Sequence, residues 1–329
     1  MTQKKTTAPM TAAVWAQLLI LGAIWGATFV FGRIAVMEIP PITLVLLRVG
    51  IAAVALHLWL LATGRSFAPA LRMAGPLFLL SLFNNVIPFS LIFTGQTELG
   101  AGLASILNAT TPFWTAIVAG ALLSDERLTA NKLVGVLIGI AGTAVMVGPG
   151  VLASLGGPVW AKLLVLGAAL SYAFALILAK RITGLAPPIV ATGQLTASTV
   201  IMLPVALMVD GGQGLAEASP SAWAAVLGIA LLATAVAYIL YFRIVAAAGA
   251  SNASLVTLIV PASAILLGTV FLGERLEPFE LAGIALIACG LVVIDGRLWR
   301  SFRGIVAAHK NERVTRRSAK DRVPGERDK

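Results

Sequence analysis

The chain has 329 residues, of which 59% are hydrophobic and only 12% charged, where a soluble domain carries about a quarter charged residues. That imbalance excludes an ordinary soluble globular protein, and a single cysteine, Cys289, excludes a disulfide framework and a cysteine-based metal cluster. The net charge of +10 would suit nucleic acid if it covered a folded face. Eleven basic residues against four acidic ones instead fall in residues 296–329, which leaves no nucleic-acid signal in the rest.

Apolar windows bounded by turn and charge signals predict ten membrane-spanning helices. They run at 13–32, 42–63, 74–95, 99–123, 131–149, 159–179, 188–209, 220–242, 249–272 and 279–295. Strands of a membrane barrel would show alternating segments of about ten residues, and these runs are longer and uniformly apolar. The first run exceeds the roughly 7–15 apolar residues of a signal peptide and is read as a retained span. Cytoplasmic loops hold the excess of Lys and Arg. With the N-terminus inside, the inner segments carry Lys4, Lys5, Arg65, Arg72, Arg127, Lys132, Lys180, Arg181 and Arg243, against Arg33, Lys162 and Arg275 at outer ends. Both termini are thus expected in the cytoplasm, and the basic tail reads as disordered. It either reinforces this topology or contacts anionic lipid heads.

The chain repeats itself at a separation near 147 residues. Trp15-Ala-Gln-Leu-Leu-Ile-Leu-Gly-Ala23 matches Trp160-Ala-Lys-Leu-Leu-Val-Leu-Gly-Ala168 at seven of nine positions, and Pro40-Pro41-Ile42 matches Pro187-Pro188-Ile189. Ser105-x2-Asn108-x3-Pro112 pairs with Ser254-x2-Thr257-x3-Pro261, and Glu126-Arg127-Leu128, Gly135 and Gly142 pair with Glu274-Arg275-Leu276, Gly283 and Gly290. An odd number of spans per half makes the second half enter the membrane from the opposite side. The predicted fold is therefore all-α integral membrane, two inverted five-helix repeats with a midplane site between them. The divisions are a cytoplasmic N-terminus 1–12, a first repeat 13–149, a linker 150–158, a second repeat 159–295 and the tail 296–329.

Residues 13–295 resemble the EamA type of the drug/metabolite transporter superfamily. The likeness is carried by Trp25-Gly26 near the end of the first helix, by Arg48 early in the second, and by AGLASILNATTPFWTAIVAGALLSDERLTANKLVGVLIGIAGTAVMV across helices four and five. It implies ten helices, a central cavity between the halves, a small-molecule substrate, no cofactor, and a multi-pass position in the inner membrane of a bacterium. It implies export of amino acids or related small polar metabolites by alternating access.

Polar residues inside spans are the candidates for a pathway, because unpaired polarity is costly there. Ser105, Asn108, Thr111 and Thr115 share one helical face, and Pro112 interrupts the backbone bonds of that helix. Thr257 and Pro261 repeat the pattern in span nine. Small polar residues also glue helices together, so both readings are open. Asn84, Asn85 and Pro88 lie in span three, and an offset of 149 pairs Asn85 with Thr234 and Phe89 with Tyr238. Each pair places a hydrogen-bonding group and a ring one turn apart, a box for a small polar metabolite or a helix tie with packed rings. Trp25 and Tyr172 occupy matching depths of spans one and six. Arg48 either snorkels to the outer interface or faces the bundle as a packing hub or a counter-ion for a substrate carboxylate; its repeat neighbourhood offers Gln194. His57 reads as an interface residue and Cys289 as a small buried apolar one.

All fourteen acidic residues fall at span ends, in loops or in the tail. No mid-membrane carboxylate is expected as a proton relay, which leaves uniport or peripheral coupling through Glu98 or His57. Glu126 and Glu274 are read as structural, each beside the N-terminus of the helix that follows it, and Gly135, Gly139 and Gly142 as sites of close helix packing. With no buried acid, nucleophile or metal cluster, the chain is not expected to be an enzyme or to hold a metal. The alternative to a metabolite exporter is a flippase or transporter of a lipid-linked or amphiphilic substrate.

Overall fold

A computed structural model of the chain describes residues 11–122, 130–153, 158–253 and 255–295, and among them all regular structure is helical. The first half holds α1 (Ala12–Val36), α2 (Pro41–Ala62), α3 (Ala68–Leu71), α4 (Ala74–Ser81), a π-helical segment (Leu82–Val86), α5 (Ile87–Gln96), α6 (Ala101–Asn108), α7 (Thr111–Leu122) and α8 (Ala130–Ala153). The second holds α9 (Val159–Arg181), α10 (Pro187–Val209), α11 (Pro220–Leu227), a second π-helical segment (Gly228–Val236), α12 (Ala237–Ala248), α13 (Ala250–Ala253), α14 (Val256–Leu272) and α15 (Pro278–Asp295).

Six helices, Ala12–Val36, Pro41–Ala62, Ala74–Gln96, Val159–Arg181, Pro187–Val209 and Pro220–Ala248, are each long and apolar enough to cross a membrane. Leu133–Val145, Ile259–Leu272 and Pro278–Val293 are shorter apolar stretches. Their starts follow proline chemistry: Pro41, Pro187, Pro220 and Pro278 open α2, α10, α11 and α15, where a missing N–H leaves no bond unmade. Thr11 and Ser219 cap α1 and α11 by accepting from the N–H groups of Val14 and Ala222.

The expected single helix at 99–123 is two helices, α6 and α7, broken at Ala109-Thr110. Pro112 has no N–H for the carbonyl of Asn108 and its ring crowds that carbonyl. The hydroxyl of Thr111 takes the freed carbonyl at 2.7 Å, and that of Thr110 takes the Leu107 carbonyl at 2.6 Å. Pro261 behaves differently from the break its motif suggested: α14 runs unbroken through it. The helix α8 also continues past residue 149, into part of the stretch read as linker. The tail, the N-terminal lysines and the Glu126-Arg127 turn lie outside the described residues.

The packing has the two-fold pattern expected of duplicated halves. Helix α2 packs on its counterpart α10 and α8 on its counterpart α15, while α1 on α14 is mirrored by α9 on α6 and α7. The symmetry is sharpest where α8 meets α15. A Cβ on Gly142 would lie 2.9 Å from the carbonyl oxygen of Gly283, and one on Gly290 would lie 2.7 Å from that of Gly135. The same four glycines that repeat in sequence thus meet in reciprocal pairs, backbone on backbone. Cys289 lies on the exposed side of α15, because the glycine face turns toward α8; it is not buried as expected.

Gly290→Val is expected to cost about 1–3 kcal/mol through overpacking against backbone that cannot yield, and Gly142→Val the same. Thermal unfolding of the purified protein in detergent checks this, with Gly75→Ala, which meets nothing within 4 Å, left unchanged or slightly stabilised.

Candidate functional site

The two π segments occupy matching positions in the two halves and carry the polar residues of their spans. In the first, Pro88 cannot donate to the carbonyl four residues back, and the ladder widens so that the N–H of Ile87 reaches Leu82, five residues back. In the second there is no proline. There the hydroxyl of Thr234 bonds the Ile229 carbonyl at 2.8 Å, again five residues back. Such widened turns concentrate at functional sites, and here they carry Asn84 from one half and Thr234 from the other, which connect to one group of neighbours.

Arg48 is the centre of those neighbours. Its side chain is 8% exposed and points into the bundle, not to the interface. Its Nε donates to the Thr234 hydroxyl at 3.2 Å, and its guanidinium carbon lies 3.6 Å from the ring centroid of Phe89 and 5.7 Å from that of Phe93. Tyr172 and Tyr238 lie within electrostatic range. Beside them Asn84 donates to the Gln194 side-chain oxygen at 2.9 Å, and the Gln194 amide reaches the Tyr238 hydroxyl at 3.5 Å. Asn84, Tyr172 and Tyr238 are partly accessible, and both tyrosines lie deep within the molecule.

The other predicted residues divide. Asn85 is fully buried and donates to Ser198 at 2.9 Å, a tie between the first π segment and α10. Trp25 connects to the cluster through rings: its centroid is 5.6 Å from Tyr241, Tyr241 is 5.9 Å from Phe242, and Phe242 stacks on Tyr238 at 6.0 Å. Asn108 keeps a buried side-chain oxygen without a partner. Ser105 and Thr115 bond carbonyls of their own helices, and Thr111 bonds the Asn108 carbonyl that ends α6 on the other side of the break, so all three hydroxyls serve backbone close by in the chain. Thr257 is exposed on α14. The polar contact between α14 and α1 is made by Ser263, whose hydroxyl donates to the Gly22 carbonyl at 2.7 Å. His57 bonds Thr196 of α10 at 3.0 Å, and Glu98 is exposed between α5 and α6.

Three carboxylates at one end of the bundle bridge the halves. Asp210, after α10, accepts from the N–H and hydroxyl of Thr43 in the first turn of α2 at 2.7 and 2.8 Å. Glu38, after α1, accepts from the N–H and hydroxyl of Ser219 at the start of α11 at 2.6 and 2.7 Å. Glu274, after α14, accepts from the N–H groups of Ala101 and Gly102 at 2.6 and 3.0 Å. Each sits at a helix N-terminus, where unpaired N–H groups and the dipole favour an anion. Glu274 therefore serves α6 in the other half, not α15, the helix that follows it. At the same end Arg33 donates to the carbonyls of Gln96 and Thr97 that finish α5. Lys162 and Glu280, both buried and electrostatically coupled, complete this end. Sequence reading took Lys162 for an outer-end charge and did not single out Glu280. Their only signal was a charge a few residues inside each helix start.

A separate groove of about 500 Å³ runs between α2, α10 and the second π segment. Apolar side chains such as Leu46, Ile51, Val54, Leu203 and Leu231 line it, a surface suited to lipid tails. The polar chemistry lies elsewhere, at Arg48.

A bundle of apolar helices in two related halves, with a polar and aromatic centre between them, defines a polytopic membrane transporter. The EamA-like transporter family profile matches the chain twice, over residues 11–148 and 159–295, and the chain belongs to that family. It is 26% identical over 281 residues to the inner membrane transporter YedA of Escherichia coli (strain K12), covering 84% of this chain and 89% of that relative. It is 28% identical over 290 residues to the "Probable terminal-alkyne amino-acid exporter" of Streptantibioticus cattleyicolor, covering 88% and 95%. The same identity holds over 290 residues with the "Probable amino-acid metabolite efflux pump" of Salmonella typhimurium, covering 84% and 92%. A solved crystal structure shares the fold with a TM-score of 0.61 at 19% identity, over 86% of this chain and 96% of that one. The protein is a multi-pass protein of the bacterial inner membrane.

The clasps make a stability prediction. The backbone N–H and then the hydroxyl of Ser219 hold the Glu38 carboxyl below the ordinary carboxylate range. A depressed folded-state value means the stabilisation is present above the unfolded-state value and is lost as pH falls through the folded one. The stability difference between wild type and Glu38→Gln should therefore shrink as thermal unfolding is followed from neutral into acid pH. Glu274→Ala should cost about 1–2 kcal/mol at neutral pH by removing the cap of α6.

Proposed function

We propose that the protein is a secondary exporter of small polar metabolites, amino acids or related compounds, working by alternating access at the site between its halves. The observation that carries this reading is the cluster around Arg48. It joins α2, the first π segment and α5 of one half to α9, α10, the second π segment and α12 of the other. A solute held there touches both halves, so rocking of one half on the other changes the side to which it is open. The amino-acid exporter and efflux-pump names of two relatives support the substrate class.

The charge distribution of the sequence makes the clasped end the outer one. In this reading Glu38, Asp210 and Glu274 hold that end shut, and release of solute outward requires the clasps to part. Coupling is by uniport or through a peripheral group such as Glu98 or His57, since among the described residues every carboxylate lies in a loop or an end turn of a helix.

Untargeted metabolomics of medium from cells with and without overexpression tests the reading. An amino acid or related compound is expected to accumulate outside, by several-fold, and to stop doing so in Asn108→Ala or Tyr238→Phe. Export that persists when an uncoupler collapses the pH gradient supports uniport. A medium indistinguishable from the control, with the protein present in the membrane, contradicts the proposal.

A further inference from the structure

Arg48 is a guanidinium in the interior of a membrane protein, seven residues into α2 from Pro41. Arginine does not shed its proton in such surroundings, so the charge itself must be accommodated, and a bare ion in a low-dielectric interior is costly. The protein supplies only part of what is needed. Among the described residues no carboxylate pairs with Arg48. Its partners are the faces of Phe89 and Phe93 and one hydroxyl, that of Thr234, which occupies Nε. The two terminal amino groups make no hydrogen bond to any described residue, and neither is sealed among protein atoms. Arg33 makes the contrast plain, because its terminal nitrogen is spent on two backbone carbonyls at 2.6 and 2.7 Å.

We propose that Arg48 is the anion-recognition group of the central site and that the transported solutes carry a carboxylate, which docks on its two free amino groups. This rests on the transporter reading and names the chemical class of its substrate. A planar carboxylate matches the guanidinium fork with two parallel charge-assisted hydrogen bonds. Thr234 and Phe89 hold the fork from its Nε edge and one face, so the open edge is fixed in direction before a solute arrives. The Tyr238 hydroxyl accepts from Gln194 and retains its own proton to donate to the same anion. Tyr172, Tyr238 and Phe242, each partly accessible, offer ring surface to the apolar remainder. Among the described residues no acid stands near Arg48 to bind an ammonium, so the carboxylate is required and an amino group is optional.

The test uses the full-length protein in detergent and asks what stabilises it against thermal unfolding. The probes are 3-phenylpropanoate, L-phenylalanine, and the uncharged 3-phenylpropanamide. Both carboxylates should raise the unfolding temperature, and the amide should bind weaker by about ten- to a hundredfold, the worth of a lost pair of charge-assisted bonds. The response should vanish in Arg48→Gln and survive weakly in Arg48→Lys. A second measurement needs no variant and uses wild type alone: 3-phenylpropanoate should slow modification of Arg48 by phenylglyoxal, and the amide should not. Equal responses to acid and amide overturn the proposal while leaving the transporter reading intact. Absence of any response to either carboxylate, or a response that persists in Arg48→Gln, also overturns it. Loss of metabolite export in cells with carboxylate binding retained counts against the transporter reading instead.

Discussion

In hydrocarbon no water takes up a hydrogen bond that the chain leaves unmade, and the irregular points of this bundle are arranged around that fact. Where Pro112 frees the Asn108 carbonyl, Thr111 supplies the donor. Where the second π segment widens, Thr234 fills the gap to Ile229. The Gln96 amide reaches across to the Phe29 carbonyl of α1 at 2.7 Å. Against this background the unpaired groups stand out. Among the described residues they include the side-chain oxygens of Asn85, Gln96 and Asn108 and the terminal nitrogens of Arg48, and two of these four residues belong to or border the cluster between the halves.

The same constraint orders the ends of the bundle. A helix N-terminus presents N–H groups with no partner in its own helix, and three of them are met by carboxylates from the opposite half. Because these bonds join the halves at one end, they tie closure of that end to the relative placement of the halves. The centre is held differently, by amide, hydroxyl and ring contacts around a cation. Strong contacts at one end with adaptable contacts in the middle would suit the proposed rocking of one half on the other around a bound solute.

Much of this was legible in the sequence because a polar residue in an apolar run has few roles. Arg48 and Asn84 were identifiable alone, Tyr172 by its depth matching Trp25, and the duplication brought out Gln194 opposite Arg48, Thr234 opposite Asn85 and Tyr238 opposite Phe89. The repeated spacing of Gly135, Gly142, Gly283 and Gly290 marked close helix packing, but only the fold shows that α8 and α15 pack on each other through them. What was not legible depended on reach. Glu274 lies next to α15 in sequence, yet its carboxylate spans to α6, and only the fold brings those N–H groups within range. The widened turns were also hidden. Pro88 announces a disturbance, but the second half carries the same one without a proline. Lys162 looked like an interfacial charge because its burial beside Glu280 is a tertiary fact.

The central claim is that the cluster around Arg48 is open to one side of the membrane and then to the other. A cysteine placed within it reports this directly, since the native Cys289 lies on the exposed side of α15 and can be replaced. Asn84→Cys in a Cys289→Ala background should react with a membrane-impermeant maleimide in both right-side-out and inverted vesicles. Reaction from one face only, or from neither, in protein that is folded and inserted would contradict the account.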